Sequence, residues 1–369
     1  MLLFTPGPTP VPEEVRVAMS APTIHHRTPE FEAIFKEARE SLLNLFNMPE
    51  AIMLASSGTG AMEASIINLA KRKTLTINAG KFGERFGKIV KAHGKELVEL
   101  KYDWNRSASI EDVKEALNKH KDIDSIAIQI CESAGGLRHP VEQIAKVAKE
   151  FNKDIAVIAD GITAVGVEPI DTTNIDALIA GSQKALMLPP GLAMIGLSDF
   201  AIKRIGSGSG YYFNLASEIA KQKNNTTAYT APTTLIIGLN KIFELINKRG
   251  GLEELYKKTN IRHKALLNAL KAINLKIYPS SPALAMATII DESAEDIRKL
   301  LKSKYSVNVA GGQDHLKGKI FRVNNMGLIE DYEMLWVVDS IEKALEDLGK
   351  LKYSAIASRV FNTTLRELV

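Results

Sequence analysis

Short apolar runs alternate with helical patterns through the first half of the chain, and this alternation constrains the fold more than any single residue. AIMLAS is followed by GTGAMEASIINLA, TLTIN by FGERFGKIVKAHG, SIAIQIC by PVEQIAKVAKEF, and DIAVIAD by IDALIAG. Runs this short and this uniformly apolar read as strands buried on both faces, and the helical stretches between them read as crossovers. Strands joined in this way run parallel, and the residues just after each one share a single edge of the sheet. In open α/β sheets that edge is where ligands bind.

The remaining chain divides around this pattern. Residues 1–29, rich in proline and threonine and carrying TPGP and IHHRTP, read as an extended arm without helix or strand. From Phe31 to Phe46 the residues Phe31, Ile34, Phe35, Ala38, Leu42 and Leu45 recur at helical spacing, which predicts an amphipathic helix. Beyond Gly250 and Gly251 the texture changes to a long charged helix from Leu252 to about Ala272, strand-like LKIYP and ALAMATIID, a helix starting near Ser293, and the strand KIFRVNN. We therefore expect an arm at 1–29, a large α/β domain at 30–250 and a smaller α+β domain at 251–369. A chain of 369 residues is long enough for two such cores.

Charge and cysteine usage narrow the function. The 47 basic and 43 acidic residues are dispersed, so the net charge of +4 forms no basic tract and nucleic acid is a poor partner. With Cys131 as the only cysteine, no internal disulfide and no cysteine-rich metal site can form. The start MLLFTPGPTPVP lacks a basic n-region and is broken by prolines, unlike a secretory signal. Nor is there a run of roughly 20 apolar residues to span a membrane. These features predict a cytoplasmic protein.

Candidate chemistry gathers at the predicted strand ends. Lys184, in GSQKALMLPPG after ALIA, stands where a long amine can reach a crevice, although taken alone a solvated loop lysine is the ordinary account. Asp160 ends AVIAD and can pair with a protonated ring nitrogen, or simply cap the turn before Gly161. Ser57, Gly58 and Thr59 open a helix after a strand, offering free amides and hydroxyls to an anion; ordinary capping explains them about as well. Glu63 replaces the third glycine of a dinucleotide fingerprint, and the lysine of a P-loop is missing. Phe82, in NAGKFGERFG, can stack on a planar group or fill the core. Arg322 lies between Phe321 and Val323 in a predicted strand, so its side chain points away from theirs, either to solvent or to a carboxylate.

Taken in order, TPGP at 5–8, SSGTGAMEA at 56–64, FGER at 82–85, ADGITAVG at 159–166, SQKAL with PPG at 182–191 and FRVNNMG at 321–327 resemble the class V aminotransferases of fold type I, in particular the alanine–glyoxylate and serine–pyruvate group. The resemblance spans nearly the whole chain. It implies a large domain with a mostly parallel sheet, a smaller C-terminal domain, and pyridoxal 5'-phosphate held as a Schiff base on Lys184. It further implies Asp160 at the ring nitrogen, Phe82 stacked on the ring and Ile162 packed on its other face. Ser57, Gly58, Thr59 and Gln183 would hold the phosphate. Thr227 and Thr230, in TTAYTAP, would reach the phosphate of a neighbouring subunit in a homodimer with shared sites. Arg322 would clamp the substrate carboxylate near Gly7. In CESAGG, Ala134 falls where a hydroxyl often meets the ring oxygen, leaving Ser133 as a partial substitute.

The implied activity is ping-pong amino transfer from alanine or serine to glyoxylate or pyruvate. An acidic donor, aspartate or phosphoserine, would need a second cation, for which His25, His26 and Arg27 are candidates. A lyase of the desulfurase kind would need a reactive cysteine on a mobile loop late in the chain, and Cys131 instead follows a buried-looking strand as a small apolar filler. A non-catalytic subunit would be expected to lack the lysine or the aspartate, and both are present.

Overall fold

The computed structural model describes residues 1–368. Its main sheet runs in the order Glu50–Leu54, Ala193–Leu197, Ala177–Gly181, Ala156–Asp160, Ser125–Gln129, Lys73–Asn78, Glu96–Lys101. Neighbours are parallel except around Ala193–Leu197, which is antiparallel to both strands beside it. Residues 182–192 explain that reversal. They hold no helix to carry a crossover, and the chain folds straight back through Pro189 and Pro190, with the Ser182 amide donating to the Leu192 carbonyl at 2.9 Å.

Both faces of this sheet are covered. On one, Phe31, Phe35, Ala38 and Leu42 of helix Pro29–Phe46 pack with Leu75, Ile126, Val157 and Leu178. Thr28 caps that helix by accepting the Phe31 amide. On the other face Met62, Ile66 and Leu69 of helix Gly58–Leu69 meet Ile158, Ile179 and Ile195. Burying side chains of this size stabilises by roughly 1.5–3 kcal/mol each, so the sheet's central strands are held by their apolar content. Strand Glu96–Lys101 is only partly covered at the outer edge; its sequence ELVELK carries no continuous apolar run, which is why periodicity does not reveal it.

A second sheet runs Leu2–Phe4, Val307–Gly311, Ile320–Asn324, Met286–Ile290, Lys276–Ile277. Helices Gly251–Ala272, Asp331–Asp347 and Ile356–Leu368 pack on it through Leu266, Leu270, Val337, Ile341 and Phe361. The expectation of a purely extended arm at 1–29 is corrected here. Leu2–Phe4 is a strand parallel to Val307–Gly311, with Phe4 buried in the second core, and Glu13–Met19 is a helix whose Val15 is buried in the first. Three residues and two turns are too short for a period to show, so only the partners they find make them regular. Between them the segment TPGPTP crosses from one sheet toward the other and meets Lys184.

Candidate active site

Lys184 sits on the turn after Ala177–Gly181, at the carboxyl edge of the main sheet. Its Nζ donates to the Pro6 carbonyl at 2.5 Å, and the Thr9 hydroxyl donates to the Lys184 carbonyl at 2.7 Å. Gly7 has φ +114°, and a Cβ built there would stand 2.5 Å from Lys184 Nζ. Any side chain at 7 would strain the backbone and displace the amine. Burial, the largest influence, lowers the Lys184 ammonium to about 8; Arg322 and Arg85 push it the same way while Cys131 and Asp160 oppose.

Asp160 closes the adjacent strand and is 4% exposed. Its Oδ1 accepts the Ile162 amide at 2.9 Å. Burial raises its carboxyl to about 6, against the pull of that amide, Lys184 and Arg85, so it is chiefly ionised at neutral pH. The Ile162 side chain lies over the start of helix Gly58–Leu69, where a Cβ on Gly58 would fall 2.4 Å from Ile162 Cδ1.

That helix start is not an ordinary cap. Ser57 occupies the cap position with extended backbone but makes no side-chain bond back to the helix, and Thr59 Oγ1 accepts from Arg85 Nη1 at 2.9 Å. The first amides of a helix have no partners within it. The Gln183 side-chain oxygen is buried without a hydrogen-bond partner and flanks Gly181 together with Ile162, the side chain that lies over Gly58. An amide side chain can present either its oxygen or its NH2 group, and with free helix amides and two hydroxyls it fits an anion such as a phosphate.

Phe82 lies in the first turn of helix Lys81–Ala92 and is partly buried, not part of a core. Its placement depends on Glu132, a residue the sequence reading passed over. Glu132 Oε2 accepts the amides of Phe82 and Gly83 at 2.9 and 3.0 Å, and Oε1 accepts that of Ala134 at 3.1 Å. A glutamate after an apolar strand reads as a solvated turn, and only the fold tucks it under a helix N-terminus. Burial raises the Glu132 carboxyl to about 7, with Asp160 adding to the shift and the three amides opposing. Because the folded state holds this proton more tightly than the unfolded chain, stability contributed by the protonated form is present below pH 4.5 and is lost as pH rises through about 7. We expect thermal denaturation of the cofactor-free protein to show this decline between pH 5 and 7, and Glu132→Gln to flatten it; an unchanged slope in the variant would remove Glu132 as its source.

Arg322 belongs to strand Ile320–Asn324, whose Phe321 and Val323 enter the second core while the guanidinium faces the main sheet's edge. Nη1 donates to the Ser133 carbonyl at 2.6 Å and Nη2 to the Gly311 carbonyl at 2.7 Å, while Nε is buried without a partner. Held on two sides, the fork keeps a donor free for a carboxylate. Cys131 is buried beside Lys184, and its thiol is pushed up to about 12 by burial, which leaves it unreactive. Thr227 and Thr230 line a separate small cleft with Leu54, Ala55 and Tyr212. His25 and Arg27 are exposed. A roomy cleft of about 1020 Å³ lies at the opposite edge among Asn47, Lys149, Asp171 and Phe200, away from all these groups. Among the described residues no cluster is arranged to hold a metal ion, and no helix is long and apolar enough to cross a membrane.

An amine and a carboxylate at the ends of neighbouring strands answer the two polar ends of a pyridoxal ring, its carbonyl and its nitrogen. The fold and this edge together define a pyridoxal-phosphate-dependent enzyme of fold type I. More narrowly, the chain belongs to the class-V aminotransferases, whose family model matches residues 1–327. It is 49% identical to an uncharacterised aminotransferase of Helicobacter pylori, over 98% of both chains. It is 28% identical to a serine–glyoxylate aminotransferase of Methylorubrum extorquens, covering 94% of this chain and 91% of that one. Among solved structures, an aspartate aminotransferase of subgroup IV from Thermus thermophilus superposes with a TM-score of 0.88 at 30% identity, over 94% of this chain and 99% of that one. The protein is thus an aminotransferase that uses amino acid and oxo acid substrates.

Proposed function

We propose that this enzyme moves an amino group from alanine or serine to glyoxylate or pyruvate by a ping-pong mechanism, in the cytoplasm. The observation that carries this reading is the Arg322 fork, pinned by the Ser133 and Gly311 carbonyls with Nε left unpaired, which suits one short carboxylate. Glyoxylate as acceptor is supported by the serine–glyoxylate relative.

Bound pyridoxal phosphate supplies an electrophilic carbonyl and a protonated ring that accepts the electron pair left when an α-proton departs. Lys184 Nζ would hold the cofactor, and as a free amine at the same place it would serve as the base that carries the substrate's α-proton. An amine held at about 8 has free base available for this at neutral pH. The Asp160 carboxylate would keep the ring nitrogen charged, and Phe82 and Ile162 would enclose the ring. Ser57, Gly58, Thr59 and Gln183 would hold the phosphate, and Ser133 would answer the ring oxygen, with Ala134 contributing only its backbone. Gly7 leaves room for substrate beside Lys184.

Thr227 and Thr230 act on the phosphate of a second copy, in a homodimer with shared sites. Supporting this, they lie on a cleft of their own that Tyr229 also lines, and the ring of Tyr229 packs near Tyr211, which is 83% exposed. We also propose the working division into a large domain at 30–250 and a small one at 251–369, with the crossing segment 1–29 joining both.

An acidic donor is the second reading, favoured by the likeness to an aspartate aminotransferase. Exposure of His25 and Arg27 in the single chain weighs against it. We expect alanine or serine to convert the cofactor to its amine form faster than aspartate or phosphoserine, because an uncompensated carboxylate in a closed site costs several kcal/mol. Arg322→Ala is expected to lower kcat/KM for every donor by roughly 30- to 1000-fold, the loss of about 2–4 kcal/mol. Should aspartate or phosphoserine win by about tenfold, and Arg27→Ala erase that advantage, the small-neutral reading fails.

A further inference from the structure

The proposed phosphate site contains a charge problem. Ser57, Gly58, Thr59 and Gln183 are all neutral, and a phosphate carries between one and two negative charges near neutral pH. A helix N-terminus supplies only about half a charge. A cation in direct contact with this set is Arg85, one turn along the helix that begins at Lys81. Its guanidinium carbon lies 4.7 Å from the centre of the Phe82 ring, and Nη1 donates to Thr59 Oγ1 at 2.9 Å.

The direction of that last bond matters. Guanidinium has no acceptor, so Thr59 Oγ1 must be the acceptor, and the hydroxyl proton is turned away from Arg85. A hydroxyl that already accepts from a cation is also a stronger donor. Arg85 meanwhile rests on the ring proposed to stack on the cofactor, so one side chain links the phosphate end of the site to the ring end.

We propose that Arg85 is a positioning residue for the cofactor's phosphate: it fixes the Thr59 hydroxyl as a donor and supplies the positive charge that the neutral cradle lacks. This rests on the proposed phosphate role of Ser57, Thr59 and Gln183. Its consequence is selectivity for the phosphorylated cofactor over pyridoxal, which has the same carbonyl and ring but no phosphate. A merely structural arginine would weaken both ligands alike.

The test is equilibrium binding of pyridoxal phosphate and of pyridoxal, followed spectrally, to cofactor-free wild type, Arg85→Met, Arg85→Lys, Thr59→Val, Ser57→Ala and the Arg85→Met/Thr59→Val double variant. We expect Arg85→Met to reduce the preference for the phosphorylated ligand by tenfold or more, with pyridoxal affinity within about twofold of wild type. Arg85→Lys should restore part of the preference, and the double variant should lose less than the product of the single losses, since both act on one hydroxyl. Equal weakening of both ligands, or strictly multiplicative losses, overturns the proposal. If Thr59→Val and Ser57→Ala lose the preference while Arg85→Met keeps it, the cradle stands and Arg85 has no part in it. If none of the variants changes the preference, the cradle assignment itself fails and the proposal falls with it.

Discussion

Replacing Lys184 by alanine is expected to abolish amino transfer, with a loss on the order of 10⁵-fold or more in kcat and no compensating fall in KM. On the proposed reading the variant would remove both the covalent hold on the cofactor and the group that carries the proton. Among the side chains around it, Cys131 is buried with its thiol pushed up to about 12, and Arg322 is bound to two carbonyls and cannot act as a base. Purified Lys184→Ala should lack the visible band of lysine-bound cofactor, and borohydride treatment of wild type should fix the cofactor to the peptide carrying Lys184. A label on another lysine, or none in loaded protein, would refute the assignment. The fold should survive, because Nζ contributes one hydrogen bond, to Pro6, that the variant removes together with its donor.

For Asp160→Asn the cofactor is still expected to bind while the proton-transfer step slows by about a thousandfold or more, roughly 4 kcal/mol of transition-state stabilisation. Opposite unit charges at hydrogen-bond separation under an effective dielectric of about 20 attract by roughly 6 kcal/mol, and the neutral amide forfeits most of that. The Ile162 amide can still donate to an asparagine oxygen, so the turn is preserved. Wild-type affinity for the cofactor should fall as pH drops below about 6, where Asp160 takes up a proton and can no longer pair with a charged ring; the asparagine variant should lose that inflection. Single-turnover spectra with alanine separate binding from proton transfer, and a near-normal rate in the variant would exclude Asp160 from the mechanism.

The sequence carries those features that depend on neighbours along the chain. Uniformly apolar runs such as AIMLAS and DIAVIAD can be satisfied only as strands covered on both faces, and this alone predicts a sheet with its chemistry along one edge. The position of Lys184 and Asp160 at the sheet's edge is legible because each directly follows or closes such a run, and the facing of Arg322 because alternation in a strand separates it from Phe321 and Val323. Tertiary structure decided whatever depends on partners far off in sequence. Leu2–Phe4 is a strand because Val307–Gly311 offers it an edge, and Gly7 must be glycine because the chain there crosses Lys184. Glu132 holds Phe82 only because a helix N-terminus from fifty residues earlier is laid on its carboxylate, and Arg85 meets Thr59 only because two helices start side by side at the same sheet edge. A periodic pattern reports which face of an element is buried, but a polar side chain buried by a distant backbone leaves no period behind, so its role appears only when the fold brings the two together.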